Sequence, residues 1–87
     1  MKYRFWRYEH LRRGQNVIIG MSGTEANVFL VDPINYERYR RGHSFTYFGG
    51  HYTSAPARLS IPHDGTWILV ADLGGAAGST TFNVQVA

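Results

Sequence analysis

Thr66–Leu73 reads TWILVADL, and the fold turns on it. Trp67 through Ala71 are apolar without interruption. A strand with one wet face alternates polar and apolar residues, so an unbroken run predicts a central strand. Pro62-His63-Asp64-Gly65 precedes it with strong turn chemistry: proline presets one dihedral, and Asp-Gly tolerates the positive one. After it come the glycines of Gly74-Gly75-Ala76-Ala77-Gly78, then Thr80–Val86, which alternates cleanly. There Phe82, Val84 and Val86 point to the core, and Thr81, Asn83 and Gln85 point away.

The same stretch imitates a nucleotide motif, since VADLGGAAG (70–78) runs a strand into glycines. A dinucleotide fingerprint needs G-x-G-x-x-G opening a helix, whose free N–H groups hold the pyrophosphate. Here the spacing is G-G-x-x-G and a strand follows, with too little chain left for a crossover helix. A tight hairpin is predicted instead, with Asp72 accepting backbone hydrogen bonds.

Working outward, the remaining segments are also short and β-rich. Lys2–Tyr8 alternates aromatic and cationic residues, as a half-buried or edge strand does. Arg13–Asn16 forms a turn, Asn16–Gly20 a short strand and Ala26–Val31 another, the three making a meander. Ser44–Phe48 predicts a strand broken or bent at Gly49-Gly50, and Ala57–Ile61 one more. Only Asp32–Gly42 (DPINYERYRRG) departs from this pattern. Asp32 suits an N-cap, Pro33 the first helical position and Gly42 the left-handed terminator, which predicts a short helical turn at 33–41. Tyr36 and Tyr39 share a face there and pack the turn onto the sheet with their hydroxyls in water. About seven strands and one helical excursion define an all-β chain, a small β-sandwich or barrel in one domain spanning 1–87.

The chain has 87 residues and no cysteine, with a formal charge of +3. This excludes a disulfide scaffold, a cysteine-ligated zinc site and a two-domain enzyme. The charge is one-sided: eight basic residues against four acidic ones through Gly42, one against two beyond it. No apolar run reaches the ~20 residues of a membrane span, and charges interrupt the N-terminus where a signal peptide would be apolar. The expected setting is the cytoplasm, with no membrane partner.

Catalytic patterns are absent from the sequence. There is no G-x-S-x-G elbow, no paired acids and no nucleophilic cysteine, so a non-enzymatic domain is expected. His10, His43, His51 and His63 show no metal-ligand spacing, although His43 and His51 flank a bend across which they could meet; neither metal nor cofactor is predicted. The richest stretch is Tyr36–Tyr52, YERYRRGHSFTYFGGHY. It interleaves guanidinium forks for anions with rings for stacking, and its glycines allow close approach to the backbone. Arg38, Arg40, Arg41, His43, Tyr47, Gly49 and Gly50 are therefore the candidate ligand-binding residues.

Several of these segments resemble a small bacterial domain-of-unknown-function family found alone or joined to Toll/interleukin-receptor (TIR) domains. The similar residues are Asn35-Tyr36, Tyr39, Gly42, Tyr47-Phe48-Gly49-Gly50, Ala55-Pro56, Leu59, Ile61-Pro62, Gly65, Trp67 and Val70–Gly75 with Gly78, covering about 26–86. The resemblance implies a jelly-roll-like sandwich in a cytoplasmic setting and supplies no catalytic residue. The function expected is a binding or sensing module for a polar or anionic ligand or a protein partner. The alternative is a small barrel that stacks single-stranded nucleic acid on Trp6 and Tyr8. A third expectation is an oligomer formed through open strand edges such as 79–86.

Overall fold

A computed structural model describes residues 3–22, 25–72 and 80–87. Among the described residues there are seven strands, β1 (Tyr3–Leu11), β2 (Asn16–Met21), β3 (Ala26–Val31), β4 (Phe48–Tyr52), β5 (Ala57–Ser60), β6 (Gly65–Asp72) and β7 (Phe82–Val86), and one helix, α1 (Pro33–Arg40). They form a four-stranded sheet in the order β1-β6-β3-β4 and a three-stranded sheet in the order β5-β2-β7. All pairs are antiparallel. Every connection except that between β3 and β4 crosses from one sheet to the other, giving a small jelly-roll-like β-sandwich.

The TWILVAD stretch (66–72) is central for the reason its composition suggests. β6 lies between β1 and β3, and both of its faces are covered. Trp67, Leu69 and Ala71 enter the space between the sheets with Val17, Ile19, Val28, Leu30, Leu59 and Ile61. Ile68 and Val70 face the other way and join Phe29, Val31 and Tyr39 beneath α1. The molecule is thus three layers deep at β6: helix, four-stranded sheet, three-stranded sheet. Trp67 is 1% exposed and its indole N–H donates to the His63 carbonyl (2.9 Å), so the turn at 62–65 also anchors the core. Phe82, Val84 and Val86 pack half-buried against the same core from β7.

Three expectations need correction. β1, β2 and β3 do not form a meander: β2 lies in the opposite sheet, and β6 separates β1 from β3. β4 begins at Phe48, leaving Ser44–Tyr47 outside regular structure, and it runs through Gly49-Gly50 instead of ending there. The physical reason is close packing. A Cβ at Gly49 (φ +141°) would lie 2.3 Å from the Val28 carbonyl oxygen, so glycine lets β4 pair with β3. Finally, the Tyr39 hydroxyl is not in water; it donates to buried Asp72. The hairpin expected over Gly74–Gly78 lies outside the described residues.

α1 forms as its termini predict. Asp32 Oδ1 accepts from the Asn35 backbone N–H (2.8 Å) and Pro33 occupies the first turn. At the other end Gly42 adopts φ +77°, its N–H bonds to the Tyr39 carbonyl and that of His43 to the Arg38 carbonyl. This paired closure is the Schellman arrangement.

Candidate binding surfaces on the helical layer

Among the described residues, the helical layer carries two cavities of similar size and different chemistry. The first is a groove of about 420 Å3 on the outer side of α1, lined by Pro33, Ile34, Glu37, Arg38, Arg41 and His43. Helical spacing places 34, 37, 38 and 41 side by side. The Schellman bond from His43 to Arg38 brings the residue after the helix back to the same groove. Ile34 is 70% exposed although it is a large β-branched residue. Glu37 is shared by Arg40 (3.0 Å) and, less closely, Arg41 (3.8 Å), while Arg38 has no ion pair among the described residues. The groove therefore combines the apolar surface of Pro33 and Ile34 with two guanidinium groups and the Glu37 carboxylate, and Arg38 is the guanidinium that Glu37 does not engage.

The second cavity, about 380 Å3, opens on the outer face of the four-stranded sheet beside α1. Phe29 from β3 and Phe45 and Tyr47 from the 43–47 segment form a triangle of rings with centroids 5.4–5.6 Å apart. Tyr39 meets Phe29 and Phe45 edge-on. A side chain outside the cavity holds this arrangement: Asn35 Oδ1 accepts from the Thr46 backbone N–H (2.8 Å), while Asn35 Nδ2 donates to the capping Asp32. At the cavity wall the Tyr39 hydroxyl donates to Asp72 Oδ2 at 2.6 Å. Burial, then the hydrogen bond and charge of Asp72, push the Tyr39 phenol well above its usual pKa. His51 Nδ1 donates to Asn27 Oδ1 (3.0 Å), and the Glu25 carboxylate lies 3.5 Å from His51 Nε2.

On the opposite flank of α1, Tyr36 packs against Phe5 and Tyr3 and shares a hydroxyl hydrogen bond with Tyr3 (3.0 Å). Burial and that hydrogen bond push the Tyr36 phenol up to about 12.

The seven candidate residues thus fall into separate groups. Arg38, Arg41 and His43 share the groove; Tyr47 and Gly50 line the aromatic cleft; Arg40 is held by Glu37; Gly49 lets β4 approach β3 closely within the sheet. His43 and His51 line different cavities and do not share a site. Among the described residues no three His, Asp or Glu side chains converge as a metal site would require. Trp6 and Tyr8 pack against the sandwich core, Trp6 edge-on to Phe82, so these rings are committed to the interior side of β1. Sequence reasoning missed Ile34, Asn35, Phe29 and Phe45. Asn35 carried the one usable signal, a side-chain amide in the first turn of a capped helix; the rings become a site only when β3 and the 43–47 segment meet.

A family model described as a domain of unknown function, DUF1883, matches residues 1–87. Comparison with curated proteins and with solved structures finds no match. No helix among the described residues is long and apolar enough to cross a membrane.

Proposed function

The chain belongs to the DUF1883 family, and from that premise we propose that it is a non-enzymatic binding or sensing module that takes an anionic group on the outer side of α1. The supporting observation is Ile34, exposed within a groove whose rim carries Arg38 and Arg41. Isolated exposed apolar residues are ordinary on protein surfaces. An exposed one flanked by guanidinium forks suits a ligand or partner segment with an apolar anchor beside carboxylates or phosphates. The anion is supplied by a polar ligand or by an acidic segment of a protein partner. A bacterial origin and association with TIR domains, which the sequence resemblance implies, would suit a sensing role in the cytoplasm.

The test uses the 87-residue chain labelled with 15N and two probes, a peptide of alternating Glu and Leu and inorganic tripolyphosphate. Amide shifts concentrated at Ile34, Arg38, Arg41 and His43, with affinity falling as salt rises, are the expected result. Saturable shifts confined to other surfaces, or affinity indifferent to salt, would refute the assignment.

A further inference from the structure

The aromatic cleft differs from the groove in its lining, rings where the groove has guanidinium groups, and this points to a ligand of its own. The chain is basic through eight arginines and one lysine, yet among the described residues no arginine lines the cleft. Its walls are the rings of Phe29, Phe45, Tyr47 and Tyr39, with the carboxylate of Asp72 among them. A second carboxylate, Glu25, sits behind His51. Tyr47 is 50% exposed and therefore presents ring surface to an incoming group, whereas Asp72 is 8% exposed and lies deep. Ring faces carry negative quadrupole potential and attract cations, most strongly where water is partly excluded. An anion entering here meets ring faces and carboxylates, and a strongly hydrated ammonium must give up water that rings cannot replace. A methylated ammonium is weakly hydrated, presents apolar methyl groups to the rings and keeps its positive charge.

We infer that the cleft formed by Phe29, Phe45, Tyr47 and Asp72 is a binding site for an alkylated ammonium group. Its volume of about 380 Å3 accommodates a trimethylammonium head with its first few attached atoms. Asn35 has a positioning role, since its bond to the Thr46 N–H holds the segment that carries Phe45 and Tyr47. The site is distinct from the anion groove, and its assignment does not depend on that proposal.

Choline chloride is titrated into the 15N-labelled chain alongside its neutral carbon isostere, 3,3-dimethylbutan-1-ol, and methyl glucoside. Choline is expected to shift the amides of Gly50 and His51 and to bind at least about tenfold more tightly than the isostere. Tyr47→Ala, at a half-exposed position, is expected to weaken choline at least about tenfold, with Tyr47→Phe staying within about threefold. Arg58→Ala, exposed on β5 in the three-stranded sheet, is expected to leave choline binding unchanged. Equal affinity for choline and the isostere, shifts produced by the glucoside alone, no saturable shift with any probe, or full retention of choline by folded Tyr47→Ala would each overturn the inference.

Discussion

The groove on the outer side of α1 and the cleft beside it are nearly equal in volume, and both are built from one stretch of sequence, 33–51, with help from β3 and β6. Their surfaces are opposite in kind. The groove gathers Arg38, Arg41 and His43 around an exposed isoleucine; the cleft gathers four aromatic rings around a buried carboxylate. The Schellman turn at Gly42 reverses the chain and keeps His43 with the helix, and the Asn35–Thr46 bond sends the following residues to the sheet. A basic, tyrosine-rich segment that looks uniform along the chain is thereby sorted into two chemistries.

The largest effect that separates the two regions comes from Gly49→Ala. The added Cβ would collide with the Val28 carbonyl at a positive φ, costing roughly 3 kcal/mol or more. Denaturant melts should show that loss. Amide shifts should spread through Gly50 and His51 in the cleft while those of Arg38 and Arg41 stay in place. Unchanged stability would mean that β4 does not depend on close approach to β3.

Tyr39→Phe comes next. It removes the donor to Asp72 and costs about 1–3 kcal/mol at neutral pH. The alkaline behavior has a definite sign. A phenol whose folded pKa is raised contributes stability that is fully present below its unfolded value near 10 and is lost as pH rises toward the folded value. The parent should therefore lose stability above pH ~10, and Tyr39→Phe should lose less over the same range. Tyr36, raised to about 12, leaves a residual decline between 10 and 12. Identical alkaline melts for the two chains would contradict the buried pairing.

Asn35→Ala should cost about 1 kcal/mol through the lost Thr46 bond, and more from the weakened cap contact. Its informative readout is the ring-proton spectrum of Phe45 and Tyr47, which should lose dispersion. Smallest of all, Arg38→Ala should leave stability within about 0.5 kcal/mol of the parent, since Arg38 has no ion pair among the described residues.

Much of the fold was legible because its signals are local. The helix announced itself through Asp32, Pro33 and Gly42, and β6 through an apolar run that only two covered faces explain. The strand pairing was not, because insertion of β6 between β1 and β3 is a long-range choice that period-2 alternation does not encode. Gly49-Gly50 misled for a related reason: glycine marks a bend and a close backbone approach equally well, and only the neighbor in β3 distinguishes them. Of the candidate site, the arginines were visible as charge, but their separation from Tyr47 depends on the reversal at Gly42. Asp72 accepts from Tyr39, 33 residues away, a pairing that no local pattern encodes; the hairpin role expected of it falls outside the described residues.

The most direct measurement is the affinity of the Glu/Leu peptide for the parent chain and for the double variant Arg38→Glu/Arg41→Glu, with Arg40→Ala as the neighboring control. The account predicts at least about tenfold weaker binding in the double variant, with the fold intact and the control close to the parent. Equal binding by the parent and the double variant would contradict it.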